Sequence, residues 1–531
     1  MAYPLGALCI QTALVSHEML KDSIEVELSH FISDQDDPIE AAEHTAQYDI
    51  DLLGLSLYLY NRDWFNEFLA HLRKLKPHIT IFAGGPETMA DPKILLDSGI
   101  DILVLGEGEE TVCDMVQQLM RGENVEGRGI QTSIADIPIP RYPSNLAVLP
   151  SPLLTGVANV DSYEGVLWEM TRGCPYHCAF CFESRGNRSV RTYPIERLQA
   201  ELELLVEHDV KHVFVLDPTF NMKRERTIQL LTLIRDTASA DMHFTFEIRA
   251  ELLDEATAAL FGQFHCSLQI GLQSSNPTVL ESIGRNFNPT LFAEKISLLN
   301  AHGVVFGLDL IIGLPGDTLD SFRKSLDFAI SCKPSNLDIF LLALLPGTQL
   351  AQDAGMLQLS HLVESPYLLQ HSPTMDEKDI AEALRLKEAC DLFYTKGRAV
   401  MWIHAACKAI GMSPSQWLYH FADFLDTCEN PDEEDIFSIQ DTFVRRQFGE
   451  QGLEHLLPAM LSYMELHQGI AHLQDSGEDP MVYLSYPPDD LALLDSMELS
   501  RFIDTHVPFE EEIPHWVFME DDVLYIEPMQ G

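Results

Sequence analysis

Three of the chain's ten cysteines fall within eight positions: Cys174, Cys178 and Cys181, in the stretch TRGCPYHCAFCFE. Separations of three and then two residues let one short loop aim three sulfurs at one centre. Zinc usually takes four protein ligands, commonly with a second closely spaced pair. His177 lies inside the loop, but no second cysteine pair occurs in the chain. A four-iron cluster also takes four ligands, so three thiolates would leave one iron open to an exogenous group. An open iron suits catalysis better than electron storage. A partial zinc site remains the alternative reading of the triple.

The elements around the loop must position it. GVLWEMTRG, just before the cysteines, reads as a buried strand running into the loop, where the carboxyl end of a parallel strand usually carries a cofactor. Downstream, KHVFVLDPTFN (211–221), HFTFEIRAELL (243–253), CSLQIGLQSSN (266–276), GVVFGLDLIIGLPGDT (303–318) and LDIFLLALLPGTQL (337–350) alternate with helical stretches. That alternation predicts repeated strand–helix units forming a parallel sheet or barrel over 161–355. Each run ends in polar or glycine-rich residues, the end at which active sites collect.

Residues 1–125 form another predicted unit. IEVELSHFI, IDLLGLSLYLYN, ITIFAGGPE and IDILVLGEGEE read as four parallel strands, with DWFNEFLAHLRKL and ETVCDMVQQLM as amphipathic helices. A doubly wound sheet is their natural sum. Its ligand-binding edge would hold Ser56, Gly84, Gly85 and the run Gly106 to Glu109, which includes Gly108. Small residues there let a bulky ligand approach the backbone. No G-x-G-x-x-G opens a helix after a strand, so this is not a dinucleotide fingerprint. Proline-rich IPIPRYPSNLAVLPSPLLTG (137–156) marks an extended linker, taken as 126–160. After residue 355 the pattern turns helical, most clearly in DEKDIAEALRLKEACDLFYTKGRAVMWIHAACKAIG, and the tail returns to short acidic stretches with aromatics.

Bulk properties narrow the function classes. A chain of 531 residues is too long for one core, so about three domains are expected. No stretch reaches the roughly 18 uninterrupted apolar residues of a membrane span. Met-Ala-Tyr-Pro-Leu-Gly has neither a basic segment nor a following apolar run, so a cytoplasmic protein is expected, with cysteines serving as ligands, catalysts or core fillers. With 82 acidic against 34 basic residues, net −48, the chain repels polyanions, and stable nucleic-acid binding is excluded. NPDEEDIF (430–437) and PFEEEIPHWVFMEDD (508–522) read as solvated faces, with an acidic docking surface as the alternative.

C-x-x-x-C-x-x-C with Phe180 between the last two cysteines resembles the signature of the radical S-adenosylmethionine (SAM) enzymes. The resemblance spans about 160–355. It implies that Cys174, Cys178 and Cys181 hold a [4Fe–4S] cluster whose fourth iron takes SAM, which is then cleaved to a 5′-deoxyadenosyl radical. It further implies that Asp217 lies in the segment receiving SAM's amino group, and that Glu247 and Arg249 contact ribose or carboxylate. Gln273, Ser274 and Arg285 complete the SAM surroundings, and Gly313 belongs to the turn beside adenine. The chain departs from the wider family in carrying LDPTF where a Gly-Gly-Glu segment is usual.

Coupled to such a core, the first unit resembles the cobalamin-binding domain of cobalamin-dependent radical SAM enzymes, with GLSLY, GGPE and GEGE at the expected stations. Asp-x-His-x-x-Gly is absent, so cobalamin is expected base-off without a histidine from that motif. YPLGALCIQTAL resembles the helix after the family's first strand, so either the true start lies upstream of Met1 or the sheet is one strand short.

The implied fold is α/β: an N-terminal doubly wound parallel sheet, a central partial (β/α) barrel and a mainly α-helical C-terminal region, 356–531. That last region resembles family-specific parts that close over substrate; Tyr367, His371, Trp402 and His404 are the candidates to face it, with a core or surface position the favoured reading for each. The implied activity is methyl transfer through methylcobalamin to an unactivated carbon of a small molecule, lipid or peptide, with a flavodoxin or ferredoxin as electron donor. Cobalamin-dependent ring closure or rearrangement is the alternative within the family. Outside it stands a non-catalytic iron–sulfur or zinc protein with an acidic docking surface. Radical SAM methylthiotransferases of transfer RNA would need three further cluster cysteines in the N-terminal domain, where only Cys9 and Cys113 occur.

Overall fold

Alternation of apolar residues builds the first sheet. β1 (Leu52–Ser56), β2 (Thr80–Gly84) and β3 (Ile102–Val104) run parallel in that order. Leu55, Ile81, Ala83 and Leu103 point to one face, where Trp64, Phe68, Leu69 and Leu72 of the helix Arg62–Leu75 cover them. Phe82, Ile102 and Val104 point to the other, against helices Leu5–Ser16 and Gly108–Met120. This is the two-sided cover that a doubly wound sheet requires. The computed structural model describes residues 3–135, 139–183, 187–428, 435–520 and 523–529.

Two details of this unit differ from expectation. IEVELSHFI is extended but pairs with no strand; Ile24 and Val26 pack on the core while Glu25, Glu27 and Leu28 are exposed. The fourth strand is instead β4 (Ile130–Gln131), antiparallel to β3 and drawn from the expected linker. Beyond it, the linker is no loose tether, because Leu146, Leu149 and Leu153 are buried in the main core. Residues 137 and 138 of the proline-rich stretch lie outside the described residues.

The central sheet follows the predicted alternation. Chain order gives β5 (Gly165–Trp168), a two-residue pair β6 (Thr171–Arg172) and β7 (Arg191–Thr192), then β8 (His212–Val215), β9 (His243–Ile248), β10 (Cys266–Gln273), β11 (Val305–Ile312) and β12 (Asn336–Leu341). Six of these form one all-parallel sheet in the order β5-β8-β9-β10-β11-β12, each crossing to its neighbour through helix. Period-two patterning sends Phe244, Phe246, Leu268, Ile270, Phe306 and Leu308 under the helices. Thr245, Glu247, Gln269, Asp309 and Asp338 fall on the opposite face, the inside of a partial barrel.

Past the barrel come β13 (Ser360–His361) and β14 (Leu369–His371), then helices up to Leu457–Ser476. The tail forms an antiparallel sheet of β15 (Met481–Leu484), β16 (Ile513–Glu520) and β17 (Val523–Pro528). The acidic stretch 508–522 is therefore partly structural, since His515 and Val517 of β16 are buried. Residues 430–434 of NPDEEDIF and 521–522 of the second acidic stretch lie outside the described residues. Trp402 is a core residue, fully buried against Phe393 in an aromatic cluster with Trp417, Phe421 and Phe443. His404 is held to the Ile330 carbonyl, and His371 is exposed on β14. One main core runs through the barrel and the helical region together. Among the described residues no helix is long and apolar enough to cross a membrane.

Candidate functional site

The cysteine loop spans 173–190, closed at its base by the β6–β7 pairs Thr171 with Thr192 and Arg172 with Arg191; residues 184–186 lie outside the described part. Gly173 has φ +94°, and a Cβ there would stand 2.5 Å from the Asn187 carbonyl oxygen, so only glycine lets the two sides close. Cys174, Cys178 and Cys181 are half-buried, whereas Cys113, Cys266, Cys332, Cys390 and Cys407 are buried core thiols.

Backbone contacts fix the loop on the barrel mouth. Ala179 N–H donates to the Ile283 carbonyl, and Leu350 N–H donates to the Ala179 carbonyl, both at 2.9 Å. Gly284 approaches the His177 carbonyl so closely that a Cβ would sit 2.8 Å away. Arg249 lies 3.7 Å from the centroid of the Tyr176 ring inside the loop and pairs with Glu251 at 2.8 Å. Arg285 donates to the Gly271 carbonyl at 2.8 Å. Both guanidinium groups lie within electrostatic reach of Cys178. Burial pushes the Cys174 thiol up, opposed by hydrogen bonds from the Tyr176 backbone and Thr219.

Among the described residues no three Cys, His, Asp or Glu side chains are drawn together as a metal cage. The donor set nevertheless fits an iron–sulfur group: three half-exposed sulfurs on one loop, its backbone fixed at Ala179 and His177, with cations nearby to offset thiolate charge.

Several predicted residues gather around this loop. Glu247 is exposed at the carboxyl end of β9, its carboxyl raised by partial desolvation of the group and by Asp309 and Glu183. Gln273 takes φ +67° at a bulge where β10 meets β11, and the absence of a Cβ at Gly271 leaves room for its amide. Strained backbone of this kind concentrates at functional sites. Phe180 packs half-buried against the main core.

Others make contacts within the fold. Asp217 is fully buried; its Oδ1 accepts from the N–H groups of Met170 and Thr171, both at 2.8 Å, and Oδ2 has no partner. Burial pushes its pKa up to about 7. It braces the end of β8 against the β5–β6 turn, whose N–H groups require an acceptor. Ser274 is buried on the Ser325 hydroxyl at 3.2 Å. At Gly313 (φ +88°) a Cβ would meet Leu369 Cδ2 at 2.3 Å, so that glycine admits a protein side chain.

The first sheet makes the same distinction among its small residues. A Cβ would strike the Leu57 carbonyl oxygen at Gly85, the Arg141 carbonyl oxygen at Gly106 and Ile10 Cδ1 at Gly108, at 2.3, 2.3 and 2.7 Å. Protein atoms fill those spaces. Gly84 faces open space, with no protein atom within 4 Å of where a Cβ would stand, and half-buried Ser56 ends the neighbouring strand. Beside them Tyr60, 76% exposed, stacks on Tyr58 with centroids 5.3 Å apart.

Sequence reasoning missed the charges flanking these motifs. Arg172 donates to Glu169 (2.8 Å), Glu107 (3.1 Å) and Glu109 (2.7 Å), and Arg191 donates to Glu107 (2.9 Å). A second tie joins Arg62 to Glu87 (2.9 Å), Asp91 (3.2 Å) and the Tyr367 hydroxyl (2.5 Å). Inside the barrel, Gln269 donates to Asp309 (3.0 Å) and Asp338 (2.8 Å); burial and Asp338 push Asp309 up to about 6. The available signals were charged residues within GEGE and TRG, and polar residues inside otherwise apolar strands.

Comparison with known proteins matches residues 2–116 to the B12 binding domain and 168–329 to the Radical SAM superfamily. An uncharacterized methyltransferase of Pyrococcus horikoshii is 25% identical over 305 residues, covering 52% of this chain and 63% of that protein. The cobalamin-dependent radical SAM methyltransferase TokK of Streptomyces tokunonensis is 25% identical over 328 residues, covering 56% of this chain and 48% of TokK. The matches thus span about half to under two thirds of these relatives' own length. The structure of the cobalamin-dependent SAM radical enzyme OxsB, with aqua-cobalamin and SAM bound, superposes with a TM-score of 0.61 at 13% identity, covering 94% of this chain and 81% of OxsB, and so shares its fold.

Proposed function

We propose, from the match of residues 168–329 to the Radical SAM superfamily and of residues 2–116 to the B12 binding domain, that the chain is a cobalamin-dependent radical SAM methyltransferase acting on an unactivated carbon of a small molecule, lipid or peptide. The observation carrying this reading is that the three-cysteine loop sits where the carboxyl ends of both parallel sheets meet, with Glu107 after β3 touching Arg172 just before Cys174. Cys174, Cys178 and Cys181 would hold the cluster. Glu247, Arg249, Gln273 and Arg285 line the adjoining mouth for SAM, while Ser56, Gly84 and the exposed Tyr60 border the open edge of the first sheet for cobalamin.

When bound, the cluster supplies the electron that cleaves SAM, and cobalamin carries the methyl group. The chain's own contribution is orientation and exclusion of water. Arg249, stacked on Tyr176, and Arg285, fastened to the Gly271 carbonyl, hold positive charge beside Cys178. Gln273 is held in a left-handed conformation that turns it away from the regular β10 ladder. The hydrogen bond from Arg62 to Tyr367 joins the first domain to the segment following β12, a second link beside that of Glu107 with Arg172 and Arg191. We place the protein in the reducing cytoplasm, with a flavodoxin or ferredoxin as electron donor.

The test is anaerobic purification from a cobalamin-supplied host, cluster reconstitution, iron and cobalt analysis, and assay of 5′-deoxyadenosine after addition of SAM and reductant. About four irons per chain, stoichiometric cobalt and deoxyadenosine formation support the proposal. Iron without cobalt defeats the cobalamin part. Zinc, or iron inert to SAM, defeats the whole.

A further inference from the structure

The cysteine loop leaves and re-enters the fold through a neck only two residue pairs wide, and the upper pair is Arg172 directly opposite Arg191. Directly opposed residues of an antiparallel pair project to the same face, and like charges there push the strands apart. These side chains are only 11% and 8% exposed, so water screens them poorly. A neck of two pairs has few hydrogen bonds with which to resist.

The counter-charge that bridges the two arginines comes from the other domain. Glu107 accepts from Arg172 Nη1 at 3.1 Å and from Arg191 Nη1 at 2.9 Å, with Arg191 Nη2 on its second oxygen. Glu109 and Glu169 occupy the remaining Arg172 donors, but Glu107 alone bridges both arginines. Its backbone is not adjustable: Glu107 N–H donates to the Arg141 carbonyl at 2.8 Å, and the preceding Gly106 is packed on the same carbonyl. Arg191 also donates to the Pro143 carbonyl at 2.7 Å, so the neck is gripped from the segment leading out of the first domain as well. Immediately above it, Gly173 leaves no slack for the loop to shift and still close.

We propose that Glu107 is a positioning residue: inserted between Arg172 and Arg191, it closes the neck of the cysteine loop, so that the first domain sets the arrangement of Cys174, Cys178 and Cys181. Glu107 touches neither cofactor in this role. The role rests on the reading of those cysteines as cluster ligands, while the neck itself is testable without metal.

The experiment uses the full chain with Glu107→Gln, Glu107→Asp and the double variant Glu107→Gln/Arg191→Gln. Alkylation of each cysteine in the metal-free protein is followed by mass spectrometry, and iron content is measured after reconstitution. Glu107→Gln is expected to speed alkylation of Cys174, Cys178 and Cys181 about tenfold and to at least halve the iron retained, while Cys266, Cys390 and Cys407 stay protected. Removing one of the opposed cations in the double variant restores both readouts toward wild type, and Glu107→Asp, which keeps the carboxylate should the amide variant fail to fold, lies between. Wild-type alkylation rates in Glu107→Gln, equal deprotection of the core cysteines, or no recovery in the double variant would overturn the proposal. The neck effect among the variants, together with wild-type protein that retains no iron, would instead sink the cluster reading and leave the neck standing.

Discussion

The carboxyl ends of the two parallel sheets are built from similar residue types and do different things with them. At the central sheet, a loop of half-buried thiols lies beside two arginines and a left-handed Gln273. At the first sheet, three of the four glycines that suggested ligand space are filled by the protein's own atoms, leaving Gly84 beside Ser56. Glycine marks close approach in both places. Only the neighbouring atoms tell whether the visitor is a ligand or the chain itself.

The sharpest way to test that contrast is Cys178→Ala. It is expected to lower deoxyadenosine formation by more than a hundredfold, with cobalt content unchanged, because it removes one of the three thiols proposed to hold the cluster and touches nothing at the first sheet. Next, Gly106→Ala should lose about 2–4 kcal/mol in chemical denaturation, since the new methyl meets a backbone oxygen at positive φ. Gly84→Ala should lose under about 0.5 kcal/mol of stability and yet weaken cobalamin retention, measured as cobalt per chain. Equal destabilisation by the two substitutions would erase the distinction.

Asp217 separates structural from ligand-facing carboxylates by pH. Its folded pKa, about 7, lies above the unfolded value near 3.8. The folded state therefore binds the proton more tightly, so this contribution is fully present below about pH 4 and declines as pH rises towards 7. Above that it is flat. Asp217→Asn should remove that decline, so that the stability difference between wild type and variant changes between pH 5 and 8 by an amount on the order of 2 kcal/mol. A difference independent of pH would rule this out. A smaller effect than that of Asp217 is expected at the second tie: Tyr367→Phe deletes one acceptor for Arg62, which keeps Glu87 and Asp91, at about 1 kcal/mol in thermal or chemical unfolding.

Much of this was legible from local pattern. Alternation of apolar residues gave the six parallel strands and the two-faced first sheet, because side-chain period is a local property of the backbone. The cysteine spacing marked the loop for the same reason. IEVELSHFI misled because β-type composition does not guarantee a partner strand, whereas Ile130–Gln131, too short to announce itself, found one beside β3. Trp402 and His404 had the chemistry of substrate contacts, but packing made them core and strut. Asp217 and Ser274 lay in motif-like segments and were claimed by unsatisfied groups of the fold.

By itself, the sequence determined the order of elements, the three thiols available to one loop and the acidic surplus, all fixed by residues near one another along the chain. Tertiary structure decided what fills each glycine's space, which carboxylates are buried, and that Glu107 reaches Arg172 and Arg191 across 65 and 84 positions. Those outcomes depend on distances between remote segments, and a carboxylate's effect is set by the charges and water that folding places around it.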